Sequence, residues 1–213
     1  NTLKKPYALS VAAFIGVHAS TLKIQTTDYD NTAYSGKFNP SVDVYPGIYV
    51  QYGMPRISER FNLIAGISFT SDIHQSFVED TNQGVVNRFD IGLESNQLTI
   101  PLGALFYIDK RAVSPYIGAG FSWSFITNSN SFFIHETEFG NQVNTIEETP
   151  FTNKSSLFGG WLLAGAEMEL SKNYLVFGEL KFARQFTPVT RDIIQNSAYN
   201  IVSLNTGIKV VLK

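Results

Sequence analysis

A chain of 213 residues has the length of one domain, and no segment reads as an interdomain linker. Charged residues make up 16%, below the roughly 25% usual in soluble proteins, yet the mean hydropathy is only -0.02, so polar and apolar residues are finely mixed. A net charge of -2 gives no basic footprint for nucleic acid, the absence of cysteine removes disulfides and thiolate metal sites, and no apolar run approaches the ~18 residues of a membrane-crossing helix.

In chain order, the first amphipathic stretch sets Tyr7, Leu9, Val11, Ala13, Ile15 and Val17 on one face against Ala8, Ser10, Ala12, Gly16, His18 and Ser20. Alternation with period two predicts a strand with one apolar face. A polar loop is expected from about 25 to 40. The next strand alternates Val42, Val44, Pro46, Ile48, Val50 and Tyr52 with Ser41, Asp43, Tyr45, Gly47, Tyr49 and Gln51. A short turn at 54–60 leads to a third strand, with Phe61, Leu63, Ala65, Ile67 and Phe69 on its apolar face, followed by an expected long loop at about 74–90.

The clearest hairpin runs from Gln97 to Ile126. Ile100, Leu102, Ala104, Phe106 and Ile108 alternate into the charged turn Asp109-Lys110-Arg111, and the rhythm resumes as Ile117, Ala119, Phe121, Trp123 and Phe125. The opposite face of the second arm carries Tyr116, Gly118, Gly120, Ser122 and Ser124, small and mildly polar, as suits a wall with lipid outside and a narrow, filled lumen inside. Pro101 cannot donate to a ladder, which predicts a bulge or a local break in pairing there. Beyond Thr127 lies the longest connection, to about Ser156, in which Gly140-Asn141 suits a hairpin turn and predicts a projecting β-ribbon.

Three more strands follow. The segment from Phe158 to Leu170 turns Trp161, Gly165, Glu167 and Glu169 inward, with a helix as the competing reading of 160–170. Val176 to Phe186 sets Glu179, Lys181, Ala183 and Gln185 inward, and Val202 to Leu212 sets Ser203, Asn205, Gly207, Lys209 and Val211 inward. The expectation is an all-β, eight-stranded antiparallel up-and-down transmembrane barrel spanning 1–213, with short periplasmic turns alternating with long extracellular loops and both termini periplasmic. Residues 1–6 lack the apolar core of a signal peptide, so an exported protein is presented here in mature form. A soluble lipocalin-like barrel is the alternative fold. It calls for an outer face rich in Lys and Glu, whereas the polar faces here are mostly Gly, Ser, Asn, Thr and Tyr.

Leu98-Thr99-Ile100-Pro101-Leu102, the short charged turn, and Ser114-Pro115-Tyr116-Ile117-Gly118-Ala119-Gly120 resemble the L-x-I-P-L and P-Y-x-x-x-G core of the PorT-like outer-membrane β-barrel family. That family is similar to OmpX and to the OmpA transmembrane domain in having eight antiparallel strands. The resemblance implies a bacterial outer-membrane location, and some members belong to protein-secretion and gliding machinery. The final Val210-Val211-Leu212-Lys213 departs from the terminal aromatic common in outer-membrane proteins of other lineages.

An eight-stranded barrel is only wide enough for side chains, so Asp43, Glu167, Glu169, Glu179, Lys181 and Lys209, with Asp72, are expected to pair across the lumen rather than line a pore. Glu179 is expected to meet Lys209 or Lys181. Ser71-Asp72-Ile73-His74-Gln75-Ser76 holds the residue types of a hydrolase triad, but proximity in sequence is weak grounds for catalysis. Asp28-Tyr29-Asp30-Asn31 opens like a calcium loop without the glycine and glutamate that complete one. No catalytic, cofactor or metal site is assigned. Aromatics in the expected loops, Tyr29, Tyr34, Phe38, Phe77, Phe89, Phe132, Phe133, Phe139 and Phe151, suggest either contacts with partner proteins or lipopolysaccharide, beside outer-membrane lipid, or packing among themselves that stiffens the loops. The expected role is a non-enzymatic barrel whose loops bind partners, as an accessory subunit of a larger complex or an adhesion and envelope-stability protein. A narrow channel or carrier is the alternative, ahead of a lipid-modifying enzyme.

Overall fold

The computed structural model describes residues 9–27, 33–37, 39–82, 85–109, 112–139, 142–148, 155–188 and 198–212. They form β1 (Leu9–Thr27), β2 (Ala33–Lys37), β3 (Ser41–Gly53), β4 (Phe61–Asn82), β5 (Val85–Tyr107), β6 (Val113–Phe139), β7 (Gln142–Glu148), β8 (Ser156–Ser171), β9 (Tyr174–Gln185) and β10 (Ala198–Leu212). Each long strand pairs antiparallel with its neighbour in the order β1-β3-β4-β5-β6-β8-β9-β10, and β10 returns to β1 from Leu9↔Leu212 to Lys23↔Ala198. Eight strands therefore close on themselves. Among the described residues, β2 pairs only with β1 and β7 only with β6, so neither belongs to the ring. The segment 160–170 is strand, not helix.

Closure puts the alternation to use. The exposed large side chains include Ile15, Val44, Ile48, Phe121, Leu162, Leu180 and Leu204, while His18, Asp72, Glu179, Asn205 and Lys209 are buried. A soluble barrel shows the reverse. From Leu9 to Ala19 a strand climbs roughly 25 Å, at ~3.3 Å per residue and ~40° of tilt, the height of a membrane barrel's apolar band. The belt ends on β5 and β6, where outward residues pass from Leu98 to Asn96 and Glu94 and from Phe125 to Asn128 and Asn130, while on β4 Ser71 and Gln75 alternate with the exposed Ile73 and Phe77. Aromatics gather at that edge, with Phe121 and Phe158 stacked at 5.6 Å and Trp123 and Phe125 likewise at 5.6 Å. Tyr52 and Tyr174 are exposed near the opposite edge.

The stretch 74–90, expected as a long loop, is instead the continuation of β4 and β5, paired as far as Asn82↔Val85. Alternation marks a strand only where one face is buried. Beyond the belt the outward side chains meet water and the inward Asp72, His74, Ser76 and Ser95 are buried but polar, so the residues there lose the apolar–polar pattern while keeping the ladder. β6 continues beside β5 to Val85↔Phe139 and turns back into β7, so β4, β5, β6 and β7 form a four-stranded ribbon standing on one end of the barrel. The expected ribbon at 132–146 is thus part of a larger one. Pairing between β4 and β5 skips the two rungs opposite Ile100 and Pro101 while the register runs on from Ala65↔Leu102 to Ser68↔Thr99, as expected of a residue with no N–H to donate. The register shift itself falls elsewhere, at Asn96/Gln97 on the β6 side.

The inner face is packed solid at the short-turn end. Phe14 stacks on Tyr49 at 4.4 Å and meets Tyr45 edge-on at 5.7 Å. Trp161 lies along the inner wall over Gly103 and Gly120, where an added Cβ would meet the indole and a facing carbonyl, that of Ala119 or Leu102. Gly120→Val should lower the urea-unfolding midpoint by the equivalent of about 1–3 kcal/mol, the usual cost of overpacking, while Thr206→Val on the belt should leave it nearly unchanged.

Candidate functional site

The lumen holds two hydrogen-bonded networks. At the short-turn end Glu167 and Lys209 form a buried ion pair, their side chains each 6% exposed. The Tyr107 hydroxyl donates to Glu167 Oε2 at 2.9 Å and accepts from Gln51 Nε2 at 2.8 Å and Lys209 Nζ at 3.2 Å. Lys209 Nζ also sits 5.8 to 5.9 Å from the ring centres of Tyr107, Tyr116 and Phe177. Glu179 accepts from the Tyr116 hydroxyl at 2.8 Å and from Asn205 Nδ2 at 3.5 Å, and Asn205 Oδ1 accepts from Tyr45 at 2.5 Å.

This differs from the pairing expected for Glu179. Lys209 is taken by Glu167, and Lys181 lies over the Trp161 ring at 5.7 Å rather than on a carboxylate. Barrel shear sets the outcome: Glu167 is opposite Phe177 on β9, and Lys209 is opposite Leu175, so side chains on strands two apart meet diagonally. Glu169 faces inward and is partly buried, and Asp43 Oδ2 accepts the backbone N–H of Ser71 at 3.2 Å.

At the ribbon end Asp72 gathers a second set of partners. His18 Nε2 lies 2.9 Å from Asp72 Oδ1, Ser20 Oγ donates to the same oxygen at 2.5 Å, and Gln97 Nε2 donates to Oδ2 at 3.2 Å. His74 Nε2 is 3.2 Å from Ser20 Oγ, and its ring lies 5.1 Å from that of Tyr199. Ser20, His74 and Tyr199 are fully buried. Of the hydrolase-like stretch, Asp72 and His74 come together with Ser20 of β1, not with Ser71 or Ser76. The Ser20 proton is committed to Asp72, no substrate can reach the hydroxyl, and the group works as a cross-lumen tie between β1 and β4. Above it Leu22, Leu93, Leu157 and Tyr199 form an apolar plug, with Ile126 and Ile201 packed against it.

Gln51, Tyr107, Tyr116, Asn205 and His18 carry these networks although charge alone did not mark them. The signal available was register: each occupies an inward position, where a polar side chain must find a partner. Of the loop aromatics, Phe77 is 62% exposed on β4 beyond the belt, and Phe132 is partly buried on β6. Tyr34, Phe89, Phe133 and Phe139 lie on strands, but their side chains fall outside what is described, and Tyr29, Phe38 and Phe151, with the 28–31 stretch and the Gly140-Asn141 turn, lie outside the described residues. Among the described residues no group of three or more His, Asp or Glu is placed to hold a metal.

Among solved structures, the outer membrane protein OprG from Pseudomonas aeruginosa matches 95% of this chain and 94% of its own at 15% identity, with a TM-score of 0.54. The fold is that of the small bacterial outer-membrane β-barrels. Neisserial surface protein A (12% identity, 94% of this chain and 97% of that one) and Ail, the attachment invasion locus protein of Yersinia pestis (13%, 94% and 97%), align over similar spans at a TM-score of 0.38. No family model and no curated protein matches the sequence.

Proposed function

We propose that the protein is an integral outer-membrane barrel, non-enzymatic and non-conducting, that acts by holding its β4–β7 ribbon outside the cell for a protein partner. The observation that carries this reading is the filling of the lumen: a buried ion pair, an aromatic cluster that includes Trp161, and an apolar plug occupy it. A chain with nothing to pass through its interior has its outer surfaces to work with. The belt meets outer-membrane lipid, with the Trp123 and Phe125 edge at the lipopolysaccharide headgroups, and the termini lie on the periplasmic side.

The ribbon is built to be seen. Phe77 and Val143 are 62% and 57% exposed on it. It is also acidic, with Glu79, Asp80, Asp90, Glu94, Glu136, Glu138, Glu147 and Glu148 against Arg88, whose guanidinium meets Glu138 at 3.1 Å. Negative charge keeps the ribbon clear of anionic lipopolysaccharide and suits a protein contact. The resemblance of 98–120 to the PorT-like pattern is what favours, within this reading, a role as an accessory subunit of a larger outer-membrane complex.

In planar bilayers the purified protein should leave conductance at the lipid baseline, and stepwise ohmic openings would overturn the proposal. Replacing 131–149 by a short Gly-Ser turn should leave the barrel folded while abolishing co-purification of its native partner. Retention of that partner would move the contact elsewhere.

A further inference from the structure

Between the apolar plug and the aromatic floor lies a polar chamber of about 50 Å³. Its wall carries the hydroxyls of Ser68, Thr70, Thr99, Ser122, Ser124 and Ser203, together with Lys181, His18, Asp72 and Gln185. We propose that this chamber is a binding site for a small monovalent anion of halide or nitrate size.

Lys181 makes the first part of the argument. Its ammonium has the Trp161 ring at 5.7 Å and, among the described residues, no carboxylate in contact. Glu179, two positions away on the same face of β9, spends its oxygens on Tyr116 and Asn205. Asp72, across the chamber, spends its own on His18, Ser20 and Gln97. Glu179 acts on this ammonium through space without touching it, so the ammonium hydrogens still need acceptors, and an anion in the hydroxyl-lined chamber supplies one.

The remaining wall supplies what an anion needs. Thr99 and Ser124 share one hydrogen bond of 2.8 Å, which uses one hydroxyl hydrogen and leaves the other free to point inward. His18 is 1% exposed and its Nδ1 has no partner, while Nε2 faces Asp72. With Nε2 committed to Asp72, Nδ1 is left for a water in the chamber that His18 helps to line. Gln185 Oε1, also buried and unpartnered, can accept from a water beside the ion. The volume admits only a few water-sized particles, so sugars, amino acids and divalent oxyanions with their shells do not fit.

The test is to refold the protein in sodium bromide, crystallise it, and collect diffraction at the bromine edge. An anomalous peak within hydrogen-bonding distance of Lys181 Nζ is expected, absent from Lys181→Met, which loses a buried charge and keeps the stem. In solution the thermal midpoint of the wild type should rise and saturate with bromide but not with gluconate, which is too large, and Lys181→Met should not respond. Water density alone in the wild-type chamber, or a bromide peak that persists in Lys181→Met, would overturn the assignment. Should the variant fail to fold, the wild-type map decides.

Discussion

Lys209→Ala should lower the unfolding free energy of the reconstituted barrel by about 3 to 5 kcal/mol, the usual cost of leaving one partner of a buried ion pair uncompensated. Glu167 would then face Tyr107 with its charge intact and its counter-ion gone, in a lumen where the pair is 6% exposed on each side. Glu167→Gln should cost a similar amount, because Lys209 would remain among three aromatic rings with no carboxylate in contact. The double variant Glu167→Gln, Lys209→Met should recover most of the loss, since neutral groups of like volume fill the same space. Urea titrations of the four proteins in one lipid give the coupling energy directly. Additive losses would mean that the two side chains are solvated separately and the lumen is wet at that level.

The second large effect belongs to the outer face. Leu180→Arg places a guanidinium near the middle of the belt, where Leu180 is 57% exposed to what the fold puts outside. Such a change costs about 2 to 4 kcal/mol at a bilayer midplane and about 0 to 1 near the interface. Gln75→Arg, outward on β4 beyond the Phe69 edge of the belt, should therefore be nearly silent. Equal costs at the two positions would mean that hydrocarbon reaches Gln75.

Legibility followed burial. Along Val202 to Leu212 the alternation named the inward residues in the phase that the structure shows, because lipid on one side and packed side chains on the other make register unambiguous. The same reasoning lost β4 and β5 beyond Phe69, where water outside and buried polar residues such as Asp72, His74 and Ser95 inside erase the apolar–polar contrast while the ladder holds the strand. Pro101 could be read because its lost donor is a local property. The pairing of Glu167 with Lys209 could not, since it depends on the shear that brings residues 42 positions apart to one level of the lumen. Charge drew attention to Glu179, yet its partners are a tyrosine and an asparagine, polar groups that inward register, rather than charge, would have singled out.

Because the chain has no cysteine, single cysteines can report each position without background. Spin labels at positions 202, 204 and 208 of β10, and at 180 of β9, in bilayers should collide freely with oxygen and hardly at all with a water-soluble nickel chelate, whereas a label at 143 on β7 should show the opposite. A label at position 203, facing the lumen, should be shielded from both. High chelate collision at 204 and 180, with oxygen favoured at 203, would put the apolar face inside and contradict the whole assignment of this sheet.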